Sequence, residues 1–380
     1  MISITNSSQY KLISITNLII FLLIVPKINL IAIGNYHQGI RVENLISIVL
    51  LLLILFNPKD FKINDDFKFY LFCGVIFLSF SVGVGNGVPI IFLTIIRIFE
   101  YLIFVIFFSN FKIDYKKIII FFKFLIIVNL IVGLLQYHEI LGFLSSRGYY
   151  EPDYNLWKSA GIFSGSWELS FITSILYFLI YHYDKKKMNI YLFLTLIILY
   201  LANTRGVMIP FFVSIIFLYV GKFRFNLSYL VILPLAVYGL YFFVLKYLGV
   251  DFLLLIESLI RLIFLNQNMF SDFGAIEPQY YSWAYRLIDW AMHANTFNLN
   301  ILTNLFGTGY TSIYYESFIF RILFANGIIG LAILCIFALR MKLYIIIFLL
   351  TSGFSLDFVV SFKMFIVLFL YFKCLKILEK

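Results

Sequence analysis

Apolar residues run through this chain in blocks of about 20, separated by short polar connections, and a helix of that length crosses roughly 30 Å of hydrocarbon. Twelve such blocks are read, at 12 to 33, 43 to 57, 68 to 85, 89 to 109, 118 to 137, 161 to 183, 189 to 202, 206 to 220, 227 to 249, 314 to 338, 343 to 357 and 359 to 374. Pro26 and Lys27 interrupt the first. With only Lys11 ahead of it and no clear small-residue cleavage site, it is read as a retained helix rather than a signal peptide. The pattern predicts an all-α polytopic membrane protein of about twelve transmembrane helices, folded as a single integral membrane domain over residues 1–380.

The charged residues orient these blocks. Lys59, Lys62 and Lys68 follow the second, Lys112, Lys116 and Lys117 the fourth, and Lys185, Lys186 and Lys187 the sixth. Lys222 and Arg224 follow the eighth, Arg340 and Lys342 the tenth, and Lys373, Lys376 and Lys380 end the chain. Every second connection is basic, whereas the short connections between them hold only Arg41, Arg147, Lys158 and Arg205. By the positive-inside rule both termini are cytoplasmic. Residues 251–266 are apolar but short and carry Glu257 and Arg261 on one helix face. Were they to cross, Arg340 and Lys342 would move outside, so they are placed as a helix at the outer interface. They open the one long extracytoplasmic loop, residues 250–313, with short helices within it. A long loop among tight connections is a place to look for function.

Composition narrows the classes. The chain has 380 residues, 63% hydrophobic and 13% charged, with a mean hydropathy of +0.99, which excludes a water-soluble single-core protein. Cys73, Cys335 and Cys374 lie in apolar stretches and are expected as buried thiols, not a disulfide framework. The net charge of +10 reports orientation and lipid contact, with no call for nucleic acid as a partner. No phosphate-loop or dinucleotide fingerprint is present, so no ATPase of its own drives the protein. His37, His138, His182 and His293 have no metal-site spacing, and no metal or cofactor is expected.

Ionisable groups at membrane depth or its edge are costly, which makes them the candidates for chemistry. Arg97 and Glu100, three apart, are expected to pair structurally, a role in substrate passage being the alternative, and Asp357 and Lys363 to be solvated at the surface. Arg205, in the turn Asn203-Thr204-Arg205-Gly206, opens a helix where backbone amides would favour a phosphate or diphosphate; snorkelling to lipid headgroups fits equally. In the segment 277–298, helical spacing would put Arg286, Trp290 and His293 on one face beside Asp289, with Tyr280, Tyr281, Trp283 and Tyr285 near. A guanidinium for an anion and aromatic faces for sugar C–H surfaces suit a sugar phosphate; an aromatic interfacial belt is the plainer alternative. Gly307-Thr308-Gly309 and Asn326-Gly327 allow tight turns into the tenth block and place Glu316 near its outer end, as a cap-like group or as a general base. Arg321 lies about 140° round the helix from Glu316 and must look to another span or line a cavity.

Together these residues resemble the O-antigen polymerase and O-antigen ligase family of integral membrane glycosyltransferases. The matching run is Arg286, Trp290, Phe306-Gly307-Thr308-Gly309, Glu316-Ser317, Leu323 and Gly327-Ile328-Ile329-Gly330, joined by Thr204-Arg205-Gly206 and by Lys158-Ser159-Ala160-Gly161-Ile162-Phe163. The resemblance covers roughly residues 155 to 335. It implies transfer of a glycan from a polyprenyl diphosphate carrier to a sugar hydroxyl at the outer face of a bacterial cytoplasmic (inner) membrane, without nucleotide sugar or metal. Glu316, where ligases tend to carry histidine, points toward a polymerase of O-antigen, capsule or exopolysaccharide. The resemblance also implies a chain-length regulator as a partner. Catalytic roles would fall to Arg205 and Arg286, holding the diphosphate, and to Glu316 as base. Trp290, His293, Tyr281, Trp283, Lys158, Arg147 and Arg321 would contact the lipid-linked donor and acceptor. Lys158 stands where the family commonly has arginine and lacks its fork of donors. The rival readings are the ligase, moving a finished glycan to a lipid or protein acceptor, and a flippase or other secondary transporter. No internal repeat supports the latter.

Overall fold

A computed structural model describes residues 8–26, 29–32, 39–58, 67–87, 92–111, 113–142, 144, 150–151, 156–184, 188–220, 290, 293, 300–309, 317–338, 341–357 and 361–378. Its helices are α1 (Ser8–Ile24), α2 (Val42–Phe56), α3 (Phe67–Gly85), α4 (Phe92–Ser109), α5 (Tyr115–Tyr137), α6 (Ser166–Tyr183), α7 (Met188–Ala202), α8 (Arg205–Val220), α9 (Ile301–Phe306), α10 (Phe318–Ala338), α11 (Leu343–Ser355) and α12 (Phe362–Leu378). Helices lie on eleven of the twelve apolar blocks. The block at 227–249, the interface segment 251–266 and most of the 250–313 loop lie outside the described residues.

The fold is mostly α-helical. Among the described residues two helices, Tyr115–Tyr137 and the first 19 residues of α10, are long and apolar enough to cross a membrane by themselves. The outward side of α2 carries Leu45, Ile48, Val49, Leu52, Leu53, Leu55 and Phe56, all exposed, as contact with hydrocarbon requires and contact with water does not. Two small ribbons interrupt the helices: β1 (Asn29–Ala32) pairs antiparallel with β2 (Gly39–Arg41), and β3 (Tyr150–Glu151) with β4 (Leu156–Trp157). The first ribbon corrects the expected helix over 12–33, which ends at Ile24. Pro26 disfavours helical backbone before it and donates no N–H within it.

The chain divides into two compact units. The first comprises residues 1–66, 92–211 and 358–380, the second 67–91 and 212–357. At the centre of the first is α6, buried at every described position from Leu169 to Tyr181 and packed on α5, α7 and α12. A helix buried all round must satisfy its own polar atoms. Ser170 Oγ donates to the Ser166 carbonyl (2.9 Å) and Ser174 Oγ to that of Ser170 (2.8 Å), leaving a stripe of small residues for close packing. The ends of neighbouring helices are capped by side chains. Asp114 accepts from the Lys117 N–H to start α5, and Lys373 Nζ donates to the carbonyls of Phe108 and Phe111 at the end of α4.

In the second unit α10 packs on α3, α9 and α11. It is kinked at Gly327, whose φ of 69° and ψ of −171° are open to glycine alone among the common residues. Cys335, expected as buried, is exposed on α10; an apolar stretch does not distinguish a protein-facing side from a lipid-facing one.

Candidate functional site

In the second unit the kink of α10 is the organising feature. It leaves the carbonyls of Phe324 and Ala325 without regular helical partners, and the turn after α9 supplies them: Thr308 N donates to Phe324 O (3.0 Å) and Gly309 N to Ala325 O (3.1 Å). The fit leaves no room for side chains. A Cβ at Gly307 would lie 2.3 Å from Ala325 O, one at Gly327 2.2 Å from Leu305 O, and one at Gly83 of α3 2.2 Å from Thr308 O. Side chains fasten the same three elements. Ser79 Oγ donates to Phe306 O, Asn326 Nδ2 donates to Ser79 Oγ (3.4 Å), and Asn300, which caps α9, donates to Asn86 Oδ1 (2.7 Å). The glycine motif read from the sequence is thus a three-way backbone junction.

Against the first turns of α10 lie two of the loop residues singled out in sequence. Trp290 and His293 are both helical, as the three-residue spacing on one face requires. The Trp290 ring, 3% exposed, lies 4.4 Å from Phe320. His293 is 6.1 Å from Phe324, and the two phenylalanines stack at 5.5 Å. Arg321 looks to another segment, as expected: its Nε and Nη2 both lie 2.6 Å from Asp357 Oδ2, just beyond α11. Asp357, expected in solvent, is correspondingly buried. A guanidinium buried at α10 needs a counter-charge more than the carboxylate needs water.

In the first unit the structure joins two of the motifs. The 158–163 segment is clamped by α5: Gln136 accepts from the N–H groups of Ala160 (3.0 Å) and Gly161 (2.8 Å) and donates to Gly161 O (3.0 Å). Asn129 Oδ1 accepts from Ile162 N (3.1 Å). Gly161 takes a φ of 59° and leaves no space for a Cβ beside Asn129. Ser159 N then donates to Leu201 O at the end of α7 (3.0 Å), four residues before Arg205. Lys158 and Arg205, both half-buried, are therefore held at one corner. Asn203, with φ of 45°, turns the chain so that Arg205 is the first residue of α8, where the helix dipole and an arginine both favour an anion.

The same unit holds a buried charged cluster that hydropathy alone did not single out. Arg97 Nε lies 3.5 Å from Glu100 Oε2, the pairing the three-residue spacing implies. Asn44 Nδ2 donates to the other Glu100 oxygen, and Arg41 Nη1 lies 3.7 Å from Glu43. Glu168, fully buried, accepts from Ser164 N (2.8 Å), Ser164 Oγ and Ser361 Oγ. Lys363, expected in solvent, is buried beside it and stands 5.1 Å over the Phe163 ring. Glu168 and Lys363 sit three positions or fewer inside the starts of α6 and α12. A single charge so near a block's edge reads as solvated until its partner, far off in sequence, is known.

Arg147, Tyr281, Trp283, Arg286 and Glu316 lie outside the described residues. Lys158 and Arg205 belong to the first unit, and Trp290, His293 and Arg321 to the second. Among the described residues no group of three His, Cys, Asp or Glu side chains is placed to hold a metal ion. No family model, curated protein or solved structure matches the chain.

Proposed function

We propose that this chain is a membrane glycosyltransferase that joins polyprenyl-diphosphate-linked oligosaccharide repeat units into a surface polysaccharide, at the outer face of a bacterial cytoplasmic membrane. The observation that carries the reading is the packing of Trp290 on Phe320. In sequence Trp290 is four residues beyond Arg286 and Phe320 four beyond Glu316, so the contact ties the loop motif to the helix-entry motif. Arg286 is then the ligand for the donor's diphosphate and Glu316 the base that accepts the proton of the attacking hydroxyl. Lys158 and Arg205 are anion-binding groups in their own corner. Diphosphate is a good leaving group, so positioning and electrostatics suffice and no covalent intermediate is needed.

The alternation of sides read from the charges is supported by which groups meet within each unit. Lys123 pairs with Asp184 (2.5 Å), Asp114 N donates to Thr16 (3.2 Å) and Lys373 caps α4; the alternation assigns all of these to the cytoplasmic side. Arg321 with Asp357 and Ser159 with Leu201 join groups it assigns to the outer side. Inverting the assignment of any block that carries one of these groups would set a pair across the bilayer.

The test is a gel of surface polysaccharide and lipid-linked intermediates from cells lacking the protein, rescued with wild type or Arg286→Ala. The proposal expects single repeat units at the surface, loss of longer chains, and no rescue by Arg286→Ala. Long chains held on the polyprenyl carrier would identify a ligase instead. Single units held on the carrier inside the cell would identify a transporter.

A further inference from the structure

The charged cluster of the first unit is a chain of polar contacts with one gap. From α4, Arg97 reaches Glu100. Asn44 connects Glu100 to the backbone N–H of Arg41 (2.6 Å), and Arg41 faces Glu43. On the far side Glu168 binds Ser164 and Ser361. Between the two halves lies a cavity of about 10 Å³, lined by Glu43, Glu168, Lys363, Leu22, Val25 and Phe362. Lys363 is 7% exposed, and its Nζ makes no hydrogen bond to any described residue.

An ammonium has three donors and no acceptor, and burying it with all three unused is costly. What it needs is an acceptor oxygen. Glu168 accepts from Ser164 and Ser361 and keeps lone pairs to spare, but neither it nor Glu43 is hydrogen-bonded to Nζ. The charges balance, with Arg41, Arg97 and Lys363 against Glu43, Glu100 and Glu168, so an added ion of either sign would unbalance them. A neutral group that accepts from Nζ and donates to a carboxylate answers every requirement. A space of this size admits one water and nothing larger.

We propose that this cavity is a binding site for a single water molecule, which accepts a hydrogen bond from Lys363 Nζ and donates to Glu43 and Glu168. The water closes the polar chain and fastens the start of α12 to the starts of α2 and α6. Lys363 thereby ties the starts of these three helices together. The inference stands apart from the glycan-transfer reading, since it concerns none of the residues given roles there.

Two measurements on the full chain in detergent test it. An experimental density map at a resolution that shows ordered solvent is expected to contain an oxygen-sized peak about 3 Å from Nζ and from a carboxylate oxygen. A cavity without such a peak, or Nζ bonded directly to Glu43 or Glu168, would overturn it. Val25→Ile adds one methylene at the cavity wall. Displacing the water strands Lys363, so Tm is expected to fall by about 2 °C or more. An unchanged or higher Tm would mean that a dry void had been filled, and the site would be withdrawn.

Discussion

The two units solve one problem, the satisfaction of polar atoms inside an apolar protein, by opposite means. The first does it with side chains. Gln136 and Asn129 clamp the loop into α6, serines close on the helix behind them, and six charged residues gather around the starts of α2, α6 and α12 and the middle of α4. The second relies on glycine, letting backbone meet backbone where α9, α3 and the kink of α10 touch. Its buried charges are confined to one pair, Arg321 and Asp357, among the described residues. Side-chain clamps tolerate adjustment, since neighbouring groups can rotate and a water can enter. A junction of carbonyls and Cα atoms at van der Waals limits has no such reserve.

That contrast can be broken where the second unit departs from its own rule. Asp357→Ala leaves the Arg321 guanidinium buried without its carboxylate and is expected to cost about 3–5 kcal/mol, read as thermal unfolding of the purified protein. A loss below about 1 kcal/mol would mean that the pair is hydrated. Next in size is Gly327→Ala, which forces φ of 69° on a residue with a Cβ and drives that Cβ into Leu305 O. Roughly 3 kcal/mol is expected, with fluorescence-detected size exclusion showing lost folded protein; a fully stable variant would show that the junction can relax. In the first unit Gln136→Leu removes a hydrogen-bonding partner from the N–H groups of Ala160 and Gly161 at similar volume. About 2 kcal/mol is expected, softened by any water that enters, so a loss larger than that of Gly327→Ala would reverse the comparison. The smallest effect belongs to Lys123→Ala. Its bridge to Asp184 is partly exposed and is worth below about 1 kcal/mol, within the error of most unfolding measurements.

The long helices were legible because each is a predominantly apolar run of helical length. The ends of α2, α3, α7 and α8 fall within a residue or two of the block limits, where Lys, Asn or Gly takes over. Around residues 24–41 the reading failed: Ile31 and Ala32 extend an apolar run by composition, whereas pairing with Gly39–Arg41 is a long-range choice that hydropathy does not encode. The glycine motif of 307–309 was legible as a turn, but not its partner, since nothing local in Phe324 and Ala325 announces carbonyls open to a neighbour. Asp357 and Lys363 were misplaced for the same reason. Their burial is decided by Arg321 and Glu168, which are distant in sequence. The shared helix face of Trp290 and His293 was legible because helical spacing is a local property.

The most direct measurement of the central claim uses purified protein in lipid vesicles, supplied only with the polyprenyl-diphosphate-linked repeat unit, and follows chain length and released polyprenyl diphosphate. The account predicts a ladder of lengthening glycans, with one carrier released per linkage, without nucleotide sugar or added metal. It further predicts that Glu316→Gln abolishes the ladder yet still binds the lipid-linked unit. A ladder of wild-type length from Glu316→Gln would remove that residue from the mechanism. Carrier-linked units that stay single under wild-type protein that is folded and binds them would contradict polymerisation itself.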